Sequence, residues 1–360
     1  MRTRHFETFD ALRFFAYLKV FLLHLPITAF PVLSFLRRDG GVGVLFFFVL
    51  SGFLISYIVF QEKETTGRLN LKNFFIRRIL RIWPLYYAML LFAFCTPYIL
   101  EFLQLSSSPD GYEPDWLLYS LFLGNYQSMI IGDSPNVSPL GVMWSLCIEE
   151  HFYIIWGLLV YFVRLERMPW IFAGGIVTAY VARIVFVHFG LSTSDIFTNI
   201  DFFIYGAIPA YLIVKFPGMV ENKVLSVSKN WKRACLLLVI GMVIALPLIP
   251  GFVKEFCMPV VFGAVFAGVV VLFIPEKSDF RIPDGNSLSI MGRYTYGTYL
   301  FHGIWINFFI QIFNALHFSL DNGIYAIIFV CTTFLCTQGS GWLSYHFFET
   351  PFLRLKKKFY

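Results

Sequence analysis

The sequence predicts an all-α fold: a polytopic membrane bundle of about ten transmembrane helices with both termini in the cytoplasm. Three observations lead there. The 360-residue chain is 58% hydrophobic and only 14% charged, with a mean hydropathy of +0.69, which is more apolar surface than a soluble domain of this length can bury. Its apolar stretches run to roughly 17–25 residues, the length an α-helix needs to cross about 30 Å of hydrocarbon. The Lys and Arg residues, finally, gather in alternate connections. Repeated ten-residue segments of alternating hydrophobicity are missing, which disfavours a transmembrane barrel.

Taken in order, the expected spans lie at about 11–31, 42–60, 79–100, 142–163, 170–190, 197–216, 234–250, 256–274, 296–316 and 324–347. Arg2, Arg4 and Arg13 precede or open the first. Lys63, Arg68, Lys72, Arg77, Arg78 and Arg81 fill 61–81, between or at the ends of the second and third. Arg164 and Arg167 divide the fourth from the fifth, basic loops at 215–233 and 275–295 follow the sixth and eighth, and the tail "RLKKK" follows the tenth. If the spans alternate, all these segments share one side. Opposite them is the longest loop, 101–141, which has no Lys or Arg. The positive-inside rule then places both termini in the cytoplasm, with Arg37, Arg38 and Lys254 the exceptions outside. All 360 residues are expected to form one integral-membrane domain with no fused soluble domain.

The net charge of +6 is a topology signal; dealt out loop by loop, it makes no nucleic-acid patch. The six cysteines sit in apolar segments without a C-x-x-C pair and read as small core residues, neither a disulfide frame nor a metal site. No cleavable signal peptide is expected, because Lys19 and His24 interrupt the first apolar run. The outside loop, with Asp110, Glu113, Asp115, Trp116, Tyr119 and Tyr126, is acidic and aromatic. That suits sugar stacking and membrane interfaces equally.

Ionisable residues at membrane depth carry the chemistry, since each costs roughly 2.5–3.5 kcal/mol at a helix centre. Arg13 and His24, eleven positions apart, share a helix face about 16 Å apart along the axis, and Asp10 can pair with Arg13 one turn away. The alternatives are a snorkelling anchor for Arg13 and a structural, hydrogen-bonded His24. In "FFIRRILRIWPLYY" Arg78 and Arg81 share a face by i, i+3 spacing, either as a topology marker or as a fork for phosphate oxygens. In "WSLCIEEHFY" the neighbours Glu149 and Glu150 point about 100° apart. Glu149 shares a polar stripe with Ser145 and Tyr153, so it is taken as the inward carboxylate. Paired with His24 it would make a general base; the plainer alternative is a structural ion pair between helices one and four. Arg183 has no assignable partner, and Glu349 is expected near an arginine.

These stretches together resemble the membrane-bound acyltransferase 3 family of bacterial cell-surface O-acyltransferases. "FDALRFFAYLKVFLLH" is similar to its opening helix, with an arginine and a histidine separated by ten residues as Arg13 and His24. "GVGVLFFFVLSGFLI", "RRILRIWPLYY" with Arg78 and Arg81, "WSLCIEEHFY", "YTYGTYLFH" and "SYHFFETPF" follow in the family's order. His151 stands where glutamine is commoner, and Thr350 where arginine is frequent.

The resemblance implies transfer of an acyl group, acetyl by family habit, from cytoplasmic acyl-CoA to a hydroxyl of a cell-surface or lipid-linked glycan. No cofactor would be tightly bound and no metal used; acyl-CoA, the glycan or glycolipid and the bilayer would be the partners. Arg13, Arg78 and Arg81 would hold the CoA phosphates, and His24 would act as general base or acyl carrier, oriented by Glu149. Tyr299 and His302, near the cytoplasmic start of the ninth span, either line the same substrate cavity or serve helix packing. The rival reading is a proton-coupled transporter or flippase of a lipid-linked glycan, built on the same buried His, Glu and Arg residues. An inactive scaffold is a third.

Overall fold

The computed structural model describes residues 4–102, 104, 111–278 and 280–359; Arg2 and Asp110, named above, lie outside them. Among the described residues every regular element is helical: α1 (Thr8–His24), α2 (Pro31–Arg37), α3 (Val42–Thr66), α4 (Leu71–Phe102), α5 (Trp116–Ser120), α6 (Gly124–Ile131), α7 (Trp144–Phe162), α8 (Met168–His188), α9 (Ile196–Lys215), α10 (Met219–Ser226), α11 (Lys229–Ala245), α12 (Gly251–Phe256), α13 (Met258–Leu272), α14 (Ser287–Arg293), α15 (Thr295–Ala315), α16 (Gly323–Leu343) and α17 (Thr350–Lys356). Seven helical stretches among them are long and apolar enough to cross a membrane: Pro31–Thr66, Leu71–Phe102, Trp144–Phe162, Leu165–His188, Ile196–Lys215, Lys229–Leu248 and Gly323–Phe359. This is a multi-pass membrane protein. The other three expected spans correspond to α1, α13 and α15. Helices α1 and α13 have 17 and 15 residues, about 26 and 23 Å of rise, and α15 is diluted by Thr298, His302, Asn307 and Gln311.

The scaffold forms around α3, which is apolar on all sides and packs along α9. The two backbones approach closely where both helices carry glycine. A Cβ at Gly52 would sit 2.1 Å from the Phe203 carbonyl oxygen, and one at Gly206 would sit 2.0 Å from that of Val49. With no hydrophobic effect between helices in lipid, such contact is what holds them. Phenylalanines extend it: the Phe203 ring stacks on Phe48 of α3 and on Phe152 of α7, at 4.7 and 4.1 Å between centroids.

Helices α8 and α11 lie at the periphery and expose Val177, Val181, Leu237 and Leu238, as a lipid-facing surface requires. Here the cysteines depart from expectation. Cys147 is buried, whereas Cys95, Cys235, Cys257 and Cys331 are exposed on the outside of the bundle; in lipid a small apolar side chain gains as much outside as in the core. Arg183 acquires the partner its sequence neighbourhood did not supply. It bonds Asp201 of α9 at 2.5 Å, and both side chains are almost fully buried.

The basic connections come together at one end. Arg4 bonds Glu221 and Glu276, His5 bonds Asp284 at 2.8 Å, Lys215 reaches Glu64 and Glu166, and Arg77 bonds Glu62 and the Phe359 carbonyl. At the other end Lys254 pairs with Asp39 at 2.8 Å. There the described part of the 101–141 loop folds into α5 and α6, tied to the start of α9 by Asn125 to the Ser194 carbonyl and Tyr126 to Asp195.

Candidate active site

A cavity of about 580 Å³ opens among α1, α3, α4, α7, α15 and the C-terminal helix α17, within the size range of small-molecule sites. Along α3 its wall runs from Val44 through Phe47, Phe48, Ser51, Leu54 and Ile55 to Ile58, about 21 Å at the helical rise. That wall is apolar except for Ser51.

The rest is charged. Arg13, Arg78, Arg81, Arg293 and Lys356 supply five cations, against the carboxylates of Asp10, Glu149 and Asp284. The carboxylates are engaged locally. Asp10 accepts from Arg13 and lies 3.9 Å from Arg293; Asp284 bonds His5; Glu149 accepts from Ser51 at 2.5 Å. The Arg78 guanidinium lies over the rings of Phe74 and Tyr153, each 5.9 Å away. Arg81 has no hydrogen bond or ion pair among the described residues. Lys356 stands in the field of Arg78, Arg81, Arg77 and Arg13. Gathering like charges in a poorly solvated cavity costs free energy that a polyanion returns.

Local folding explains these placements. Helix α4 starts well before the expected span, so Arg78 and Arg81 sit one turn apart inside it rather than at its fringe. After α16 the chain takes one wide turn at Ser344–Glu349, of the kind where hydrogen bonds run to the fifth residue. The turn buries Glu349, which accepts from Ser344, puts Tyr345 on the cavity wall and leads into α17, which packs on α4. Arg81 contributes the leading charge acting on Glu349, though no ion pair joins them among the described residues. Lys356, treated in the sequence as one residue of a basic tail, arrives in the cavity by this route.

Of the predicted site residues, Arg13, Arg78, Arg81, Glu149 and Tyr299 share the cavity. Glu149 lies there with Ser145 and Tyr153 of its stripe, while Glu150 is buried against α4 and accepts from Trp83 at 3.3 Å. The expected pairing of Glu149 with His24 does not form: the carboxylate is held by Ser51, 98 residues away in the chain. His24 ends α1, is exposed, and is absent from the cavity wall. Its Nδ1 lies 2.9 Å from the Val20 carbonyl oxygen and 3.3 Å from His302 Nε2. His302 is likewise off the cavity wall, fully buried behind His24, with its Nδ1 2.6 Å from the Tyr299 carbonyl oxygen. Tyr299 is on the cavity wall, and its hydroxyl bonds Ser145 at 2.8 Å and donates to the Val142 carbonyl at 3.1 Å. Besides Lys356, sequence reasoning missed Ser51, Arg293 and Asp284. Ser51 carried a signal, as the polar residue of "LSGFLI" in an apolar helix.

Among the described residues no cluster of three His, Cys, Asp or Glu side chains could hold a metal. The site is thus a cation-rich cavity enclosed by a helical membrane bundle, with a histidine pair off its wall. Comparison with known proteins gives the family. The family described as Acyltransferase domain, the acyltransferase 3 family, matches residues 6–340, and the chain belongs to it. It is similar to Peptidoglycan O-acetyltransferase OatA of Listeria monocytogenes, at 26% identity over 377 residues, covering 97% of this chain and 56% of that protein. It is also similar to YrhL of Bacillus subtilis, which provisionally carries the same activity name, at 26% over 371 residues, covering 97% of this chain and 55% of that protein. The chain thus spans little more than half the length of these relatives. No solved structure matches.

Proposed function

We propose that the protein is a ten-span O-acetyltransferase of a bacterial inner membrane, that the end carrying both termini faces the cytoplasm, and that the cavity binds acetyl-CoA from that side. The observation that carries this reading is the cation surplus in a cavity walled on one side by apolar α3. Arg78, Arg81 and Lys356 suit the phosphates of CoA, with guanidinium forks taking two oxygens at a time. The apolar wall suits the pantetheine arm, which extends past the Tyr299 hydroxyl toward His24.

In transfer, a glycan hydroxyl gives its proton to His24 as its oxygen attacks the thioester carbonyl carbon. Collapse of the tetrahedral adduct breaks the C–S bond, and the imidazolium returns the proton to the CoA thiolate, leaving an acetyl ester and free CoA. An acyl group carried transiently on His24 is the two-step version of the same exchange. The named substrate of the Listeria relative makes peptidoglycan the first acceptor to try. Membership of an acyltransferase family favours this reading over a glycan transporter, which needs no CoA site.

The test uses full-length protein in nanodiscs with radiolabelled acetyl-CoA and a muropeptide acceptor. Arg78→Ala and Arg81→Ala should lose acetyl-CoA binding. His24→Ala should bind it normally and lose transfer by about 10²- to 10⁴-fold, the usual worth of an acid–base group. Unchanged binding in the arginine variants, or transfer surviving in His24→Ala, would refute the proposal.

A further inference from the structure

The histidine pair allows the basic atom of the site to be named. Four atoms decide it, contributed by helices 278 positions apart in sequence. The Tyr299 carbonyl oxygen, 2.6 Å from His302 Nδ1, can only accept, so that nitrogen carries a hydrogen. In a neutral ring the other nitrogen, His302 Nε2, then holds a lone pair. It faces His24 Nδ1 at 3.3 Å, and two ring nitrogens at that separation require one hydrogen between them. His24 must provide it. The Val20 carbonyl oxygen, 2.9 Å from the same His24 Nδ1, makes the same demand independently.

We infer that His302 is a positioning residue that fixes His24 in the tautomer with its hydrogen on Nδ1, so that His24 Nε2 is the atom that takes the acceptor's proton. His302 is fully buried, flanked by the Tyr17 ring at 6.2 Å as well as by His24 at 4.8 Å between centroids, so its ring cannot swing away to offer the other nitrogen. The partner fixed by one ring nitrogen sets what the other does. When Nε2 is protonated, the resulting imidazolium donates from Nδ1 to His302, and the charge stays on His24 because two adjacent imidazolium rings would repel. A neutral histidine thus fills the orienting place that sequence reasoning gave to Glu149. It also replaces the expectation that His302 touches substrate: its contact is with the base. Through the Tyr299 carbonyl this alignment is anchored to a residue of the cavity wall.

The inference rests on the reading of His24 as the base, and its test has a readout independent of turnover. Full-length protein with ¹⁵N-labelled histidine is placed in nanodiscs, and the His24 signals are assigned by their loss in His24→Gln. His24 Nδ1 should appear as a pyrrole-type nitrogen bearing hydrogen and Nε2 as a pyridine-type nitrogen. His302→Ala leaves only the Val20 carbonyl to hold that hydrogen, so it should raise the share of His24 carrying hydrogen on Nε2 and lower kcat for acetyl transfer by about tenfold or more, with KM for acetyl-CoA unchanged. His302→Gln, whose amide oxygen can still accept from His24 Nδ1, should restore the pattern and part of the rate. A wild-type His24 with its hydrogen on Nε2 overturns the inference even if His24→Ala is inactive, as does a His302→Ala protein with unchanged tautomer and turnover. Transfer surviving in His24→Ala would instead remove the reading of His24 as the base, while the tautomer spectrum still reports on His302. Should His302→Ala fail to fold, the wild-type and His302→Gln spectra decide.

Discussion

Arg183 and Arg81 are both guanidiniums inside the bundle, and they are kept there by opposite means. Arg183 is closed: it bonds Asp201, lies 5.5 Å over the Phe202 ring, and neither residue lines the cavity described above. Arg81 is open: it lines a cavity whose cations outnumber its carboxylates, without an ion-pair partner among the described residues. The first arrangement balances its charge within the protein and serves the fold. The second leaves a surplus of positive charge, which under the proposed function an anionic substrate would balance. Burial of a charged residue does not by itself mark a site; a surplus of one sign around shared empty space does.

The sharpest way to break this contrast is to open the closed pair. Asp201→Asn leaves Arg183 buried without a counter-charge, and a loss of about 3–5 kcal/mol is expected, read as a lower midpoint of unfolding in detergent or denaturant. Activity per folded molecule should stay near wild type. Next in size is the open site. Arg81→Ala should weaken acetyl-CoA binding by about 10- to 100-fold, the worth of one charge-assisted hydrogen-bonded contact of about 1.5–3 kcal/mol, while thermal stability is unchanged or rises because like charges are relieved. The two variants should therefore move stability and binding in crossed fashion. If Arg81→Ala instead destabilises as Asp201→Asn does, the division between the two sites is wrong.

A smaller effect should come from salt. Raising ionic strength from about 50 to about 500 mM shortens the Debye length several-fold, and acetyl-CoA affinity should fall several-fold, as measured by equilibrium binding. The unfolding contribution of the Arg183–Asp201 pair, shielded within the bundle, should respond far less. The smallest change is expected for Tyr299→Phe. It removes the hydroxyl that bonds Ser145 and Val142, about 1 kcal/mol of interaction, and should alter turnover by a few-fold, visible in a kcat comparison with acetyl-CoA binding intact.

How much of the site could be read in advance depended on distance along the chain. Arg13 with Asp10, and Arg78 with Arg81, were legible because i, i+3 spacing puts them on one helical face whatever else the chain does. The choice of Glu149 over Glu150 rested on the same periodicity. The assumed partner of Glu149 did not, because which helix faces α7 is settled by packing: Ser51 of α3 reaches the carboxylate and His24 does not. Asp201 was invisible as the partner of Arg183 for the same reason, being 18 residues away on the next helix, α9.

What the sequence by itself determined is the material of this protein: a helical membrane bundle, its principal apolar spans, and three of the arginines, Arg13, Arg78 and Arg81, that line its cavity. These follow from composition, run length and periodicity, which are local quantities that lipid solvation turns directly into structure. Only the tertiary structure decided which charges are neutralised and which are left facing space, that Lys356 returns to the cavity on α17, and that the neighbour of His24 is His302. Each is a meeting of side chains from separate helices, fixed by close backbone approaches such as Gly52 with Phe203, and such meetings depend on how the helices settle against each other rather than on the residues of any one helix.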